Sequence, residues 1–267
     1  MLDQIEFEYV QVLLIIDVGY WRDGTSVVLL KRFLINFLEK TCSRSLLFRR
    51  VTKIGYFGLN KIDQHLEEFF PNNNGYFIEL GANDGVSQSN TLFLERYKNY
   101  KGVLIEPHPG NFEKCRNNRS ERNNFFMGAC VSFDYGQSKM DLIYSNLMTV
   151  SLNGETTIDD PGKHAREGKK FLRGEAVYQF SAETKTLTDV LKQANAPAHI
   201  DLFSLDVEGA EIEVLKGVDF SKYRFKIICV ETNNFDIINV FLNAQGYRFV
   251  KRISNHDYIF DYGLHLS

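Results

Sequence analysis

Three carboxylates fall within six residues in the run Asp206-Val207-Glu208-Gly209-Ala210-Glu211. Acids crowded at the mouth of a cleft raise one another's pKa, because like charges in close contact cannot all ionise cheaply. A carboxylate tuned in this way can take a proton from a hydroxyl near neutral pH, which is the work of a general base. Asp206 and Glu208 are the candidates, separated by two and therefore on one face if the strand continues. Glu211 would lie on the first turn of a following helix, where its charge suits the N-terminal dipole. His256 and His164 stand behind the two acids as further candidate bases. Glu231-Thr232-Asn233 closes the next strand-like run. Carboxylates at two adjacent strand ends could also offer hard oxygens to a divalent cation, so the sequence leaves a metal open without requiring one.

A second constellation precedes this one. Glu79-Leu80-Gly81-Ala82-Asn83-Asp84-Gly85 has the form E-x-G-x-x-x-G. Its glycines permit a tight turn and close approach of a ligand to the backbone. The pattern is not the G-x-G-x-x-G of a dinucleotide site, so no pyrophosphate cradle is evident. An acidic strand end with a short glycine loop suits a nucleoside carrying a positive charge and an amino-acid tail, and S-adenosylmethionine is such a ligand. Glu106 follows Gly85 by 21 residues, at the end of the next strand-like run. An acid so placed accepts hydrogen bonds from ribose hydroxyls.

Alternating strands and helices must position these groups. Tyr76–Leu80, Gly102–Ile105, Phe125–Val131, Leu202–Asp206 and Phe225–Glu231 read as strands from their apolar, β-favouring runs. Helices are expected over Ser89–Tyr97, Asn111–Asn117, Thr188–Ala194, Ala210–Lys216 and Asp236–Ala244. Thr186 or Thr188 serves as one N-cap and Gly246 as one C-cap. Tyr247–Ile253 and Tyr258–Tyr262, joined by a short polar segment, read as an antiparallel hairpin. Such alternation builds a mostly parallel sheet with helices on both faces, and ligands bind beyond the carboxyl ends of its strands.

The 267 residues are 44% hydrophobic and 24% charged, the composition of a globular chain rather than a disordered or fibrous one. A formal net charge of −3 disfavours a protein that grips nucleic acid by its backbone. Cys42, Cys115, Cys130 and Cys229 form no CxxC, and Cys130 and Cys229 sit in apolar runs. They read as reduced thiols of a cytoplasmic protein. The strongest early apolar run, Val12–Ile16, is too short to span a membrane, and no signal peptide is apparent.

Taken together, Gly75 to Gly85, Ser89-Asn90-Thr91, Gly102-Val103-Leu104-Ile105-Glu106-Pro107 and Asp206 to Glu211 with Val214, Leu215 and Gly217 resemble the FkbM family of S-adenosylmethionine-dependent methyltransferases. The matching blocks fall in order across residues 75–262. The resemblance implies a class I methyltransferase, Rossmann-like α/β fold whose seven-stranded sheet has an antiparallel last strand. It implies cofactor contacts at Glu79, Gly81, Asn83, Asp84, Gly85 and Glu106. Ala82, Pro107, Cys130 and Asp206, next to these or at neighbouring strand ends, complete the expected cofactor set. It also implies O-methylation of a sugar or other small hydroxylated acceptor. Homo-oligomerisation is left open. A nicotinamide oxidoreductase on a similar sheet is the enzymatic alternative, and a binding module that keeps the fold without catalysis is the other. Nucleic-acid base methylation is disfavoured, since no Asn/Asp-Pro-Pro-aromatic loop and no Pro-Cys pair occurs.

Three stretches stand outside this pattern. Ile15–Gly24 imitates the glycine loop by chance, with no acidic strand end about 20 residues later. Residues 31–53 carry seven basic residues against Glu39, which reads as a helix with a solvated basic face. Residues 1–74 as a whole read as an N-terminal extension to a methyltransferase domain at 75–267. Residues 134–185 show no clear alternation and read as a lid or a disordered insertion. Its basic residues Lys163, Arg166, Lys169, Lys170 and Arg173 suggest an anionic acceptor.

Overall fold

The apolar runs become the central strands of one sheet. A computed structural model describes residues 55–172 and 174–263. In chain order the elements are α1 (Ile62–Leu66), β1 (Tyr76–Leu80), α2 (Leu92–Lys98), β2 (Lys101–Glu106), α3 (Pro109–Asn118), β3 (Asn124–Met127), β4 (Ala129–Cys130), β5 (Lys139–Tyr144), β6 (Val150–Ser151), α4 (Pro161–Glu167), β7 (Tyr178–Lys185), α5 (Leu187–Gln193), β8 (His199–Leu205), α6 (Glu211–Leu215), β9 (Arg224–Glu231), α7 (Phe235–Ala244), β10 (Arg248–Arg252) and β11 (Asp257–Asp261). Seven strands lie in the order β3-β2-β1-β8-β9-β11-β10. All neighbours pair in parallel except β11, which runs antiparallel to both β9 and β10. This is the class I methyltransferase sheet, with the last strand reversed.

Both faces of the sheet are covered, which is why its inner strands read as continuous apolar runs rather than alternating ones. Ile78 and Leu80 point to one face, where Leu191 of α5, Leu215 of α6 and Leu242 of α7 pack. Phe77, one residue out of phase, points to the other, against Leu66 of α1, Leu94 of α2 and Cys115 of α3. Cys115, Cys130 and Cys229 are free thiols and buried. Thr186 rather than Thr188 caps α5, its side chain accepting from the Asp189 amide. Gly246, with φ of 90°, follows α7 as its C-cap requires.

The structure departs from the sequence reading in four places. Residues 57–74, assigned above to the N-terminal extension, belong to the same compact unit as the sheet. Ile62, Leu66 and Phe70 are buried in its core. The helix expected from Ser89 starts only at Leu92, because the Ser89 and Thr91 side chains turn back to Glu79. The strand expected over Phe125–Val131 breaks at Gly128. Its first part stays in the main sheet, while Ala129–Cys130 pairs with β7. Residues 134–185 are neither a bare lid nor disordered: they hold most of a second sheet, ordered β4-β7-β5-β6. The Ile15–Gly24 and 31–53 readings, Cys42 and Arg173 lie outside the described residues. Among the described residues, no helix is long and apolar enough to cross a membrane.

Candidate active site

At the carboxyl end of the sheet the strand ends of β1, β2, β8 and β9 meet the second sheet around a cavity of about 550 Å³. The glycine loop forms its floor. Gly81, at φ 87°, is forced by a close approach: a Cβ there would lie 1.9 Å from the Asp206 carbonyl oxygen. Only glycine lets the ends of β1 and β8 touch, and the Asp206 amide donates to Leu80 O across the same seam. Glu79 lies behind the loop with its carboxylate fully engaged. It accepts from Ser89 Oγ, the Asn90 amide, Thr91 Oγ1 and Arg119 Nη1. It therefore holds the loop from beneath while one side borders the cavity.

Arg119, which the sequence did not single out, is the other half of this anchor. Its guanidinium bridges Glu79 and Glu95, each at 2.9 Å, with its side chain wholly buried. Nothing in the local sequence distinguishes it from Arg116 or Arg122 nearby. Its role comes from the packing of α2 and α3 against β1.

Glu106 reaches the cavity at the end of β2 and ties the loop to that strand. It is 6% exposed and accepts from the Asn83 and His108 amides at 2.8 and 2.9 Å. Burial pushes its carboxyl up to about 7, against the pull of those two amides. His108 then fastens β2 to the second sheet. Its ring stacks on Tyr144 with centroids 3.9 Å apart, and its Nε2 lies 2.6 Å from Tyr178 Oη. Asn83 Nδ2 donates to Asn146 Oδ1, a second tie between loop and insertion.

The acids converge at the ends of β8 and β9. Carboxylate oxygens of Asp206, Glu208 and Glu231 all lie within 4.8 Å of one another. They do so by a route the sequence did not suggest. Strand β8 ends at Leu205, so Asp206 and Glu208 do not share a continuing strand face. Instead the backbone turns through Glu208 at φ 51° and Gly209 at φ 98°. A non-glycine residue held left-handed costs of order 1 kcal/mol or more and persists only where its surroundings demand it. Burial and the neighbouring Glu231 and Glu208 charges hold the Asp206 carboxyl well above the usual range. Burial, then the Glu208 charge, pushes Glu231 up to about 8. Glu211 is not merely a dipole partner: it is 1% exposed, accepts from the Gly209 amide at 2.7 Å and is pushed up to about 7 by burial.

His164 arrives from the insertion. Its Nε2 lies 2.8 Å from Glu208 Oε2, and that carboxylate raises the imidazole pKa. His256 also borders the cavity, from the β10–β11 turn. Of the expected cofactor set, Glu79, Gly81, Ala82, Asn83, Glu106, Pro107, Cys130 and Asp206 line this cavity, whereas Asp84 and Gly85 do not. Asp84 instead accepts from the Val86 and Ser87 amides and so shapes the turn. Of the basic residues in the insertion, Lys170 borders the cavity and Lys163, Arg166 and Lys169 do not.

The arrangement has three chemical consequences. The oxygen-rich end suits a cation, whether a sulfonium, an ammonium or a hard metal ion. A proton can be stored there near neutral pH. The other end, around Pro107, Ala129 and Cys130, is largely apolar. A nucleoside cofactor with a cationic centre suits such a cavity, with Glu106 at the apolar end beside Pro107.

The family model described as the methyltransferase FkbM domain matches residues 79–249. Among curated proteins, methyltransferase sdnD of Sordaria araneosa is 25% identical over 209 residues, which cover 67% of this chain and 79% of that protein. Among solved structures, methyltransferase FkbM from Methylobacillus flagellatus KT aligns with a TM-score of 0.44 at 15% identity, covering 90% of this chain and 56% of that one. A methyltransferase from Geobacter sulfurreducens aligns with a TM-score of 0.41 at 11% identity, covering 94% and 97%. The chain thus spans little more than half the length of the Methylobacillus protein. Because the family model covers well over half of the chain, from Glu79 through the acidic strand ends, this protein belongs to the FkbM methyltransferase family.

Proposed function

We propose that this methyltransferase uses S-adenosylmethionine to methylate a hydroxyl of a small acceptor, a saccharide or a similarly hydroxylated metabolite, rather than a nucleic acid. The observation that carries the reading is the meeting of Asp206, Glu208 and Glu231 within 4.8 Å at one end of a cavity whose other end holds Glu106. The bound cofactor supplies an electrophilic methyl group. The chain's own residues do the rest. The Gly81–Asn83 turn and Glu106 hold the nucleoside, with Glu106 accepting from ribose hydroxyls. The acids lower the cost of placing positive charge beside them.

An acceptor hydroxyl is a weak nucleophile and must lose its proton as it reacts. Asp206 is the leading base, since burial and the neighbouring Glu231 and Glu208 charges raise its carboxyl pKa and so its affinity for a proton. Glu208, polarised by His164, is the second candidate. His256 borders the same space. Aligning the acceptor oxygen with the methyl is the larger contribution, because position rather than activation limits such transfers. The second sheet contributes Met140, Leu142 and Ser151 to the cavity lining.

Calorimetric titration with S-adenosylhomocysteine and with NAD tests the reading. The thioether should bind and NAD should not; tight binding of NAD alone would overturn it. Glu106→Ala should weaken S-adenosylhomocysteine by about 1–3 kcal/mol, the loss expected when a charged hydrogen-bond partner is removed. Unchanged affinity would show that Glu106 does not meet the ribose.

A further inference from the structure

Ser151 carries a hydroxyl with no partner among the described residues. The residue is 3% exposed and its Oγ is buried without a hydrogen bond, yet it lines the cavity. A buried hydroxyl left unpaired has lost its water without replacement, so a ligand that supplies the partner recovers that cost on binding.

The strand register says which end of the cavity Ser151 serves. It sits directly opposite Leu142 in the antiparallel β5–β6 pair, so the two side chains share one face. Leu142 packs there with Ala129, Met140 and Ala182. The adjacent pair, Ile143 and Val150, faces the other way and packs with Ala165 of α4, the helix that carries His164. Ser151 therefore lies on the face of the second sheet opposite the His164 helix.

That face begins beside Glu106. Glu106 pairs with Met127 in the β2–β3 register, and the Gly128 amide donates to Glu106 O. Ala129 and Cys130 follow at once, and Met140, Leu142 and Ser151 extend the same wall of the cavity. A ribose held at Glu106 places its attached base against this wall. The wall is apolar, as suits a flat heteroaromatic ring, and Ser151 adds a polar contact to it. We infer that Ser151 Oγ hydrogen-bonds the edge of the purine in the nucleoside cofactor, making it a base-recognising residue supplied by the insertion. This inference rests on the cofactor reading given above.

The test is calorimetric titration of the full chain and of Ser151→Ala with three compounds. S-adenosylhomocysteine carries base, ribose and tail; adenosine carries base and ribose; S-ribosylhomocysteine carries ribose and tail without the base. The variant should bind the first two about 5–20-fold more weakly, the size of one lost hydrogen bond to a buried group. Its affinity for S-ribosylhomocysteine should not change, and the melting temperature of the free protein should not fall, since the substitution removes a hydroxyl that has no partner there. S-adenosylhomocysteine binding within twofold of the parent would overturn the inference. So would an equal loss for the ligand that lacks the base, which would mean that Ser151 only supports the wall. Failure of the parent chain to bind S-adenosylhomocysteine would instead overturn the cofactor reading itself.

Discussion

Arg119→Met should lower the unfolding free energy by about 3–5 kcal/mol, because removing one partner of a buried ion pair strands the other. Here two carboxylates are stranded. Glu79 and Glu95 each lie 2.9 Å from the guanidinium, with side chains 6% and 8% exposed. Arg119 also donates to Gly85 O, Ser89 Oγ and Thr91 Oγ1, so the turn after β1 loses its anchor at the same time. For a domain of this size the melting temperature should fall by roughly 6–20 °C. Arg119→Lys should recover only part of the loss, since an ammonium cannot present the planar fork that spans both acids. Because Glu79 holds the loop from beneath, S-adenosylhomocysteine affinity should drop with stability. Thermal melting within about 1 kcal/mol of the parent would show that this bridge is not what holds the loop.

The second large effect runs the other way. Glu231→Gln should stabilise the free protein at pH 8 and weaken its hold on a cationic cofactor. The sign follows from the direction of the shift. Glu231 is pushed up to about 8 in the fold, above the 4.5 of an ordinary glutamate, so between those values the folded chain binds more protons than the unfolded one. Stability therefore declines as pH rises through that window, and Glu106 and Glu211, both pushed up to about 7, add to the decline. Melting temperature should be higher at pH 5.5 than at pH 8. Neutralising Glu231, with its partly solvated position discounted, should return about 1–3 kcal/mol at pH 8 and flatten the profile. The same substitution removes negative charge from the acidic end of the cavity. It should thus reduce affinity for S-adenosylmethionine several-fold more than for the uncharged thioether, on the order of the 1 kcal/mol that a partly screened charge contributes. A variant that melts lower at pH 8, or that loses both ligands equally, would remove the acids from this role.

Local pattern was enough to find much of the cavity floor. The run Tyr76–Leu80 coincides with β1, and Glu106 and Glu231 stand at the ends of their strands as the spacing implied. These elements are buried on both faces, and continuous burial writes itself into the chain as an uninterrupted apolar run. The second sheet left no comparable mark. Its β7 buries only Ala182 of its eight residues, and its β4 is only two residues long, so neither shows a period that could be read. Glu208 could be suspected from composition, but its left-handed backbone and its meeting with His164 come from residues 44 positions apart.

The sequence by itself determined the class of fold, the alternation of its main strands and helices and the identity of the acids at their ends. Those properties are carried by residues close together in the chain, where side-chain type and period act directly. Only the tertiary structure decided that Arg119 locks Glu79, that Asp84 serves the turn rather than the cavity, and that the insertion forms a wall bearing His164 and Ser151. Each of these depends on which distant side chain becomes the partner. Burial makes that choice energetically decisive, because a charge or hydroxyl removed from water must find its counterpart wherever the fold brings one within reach.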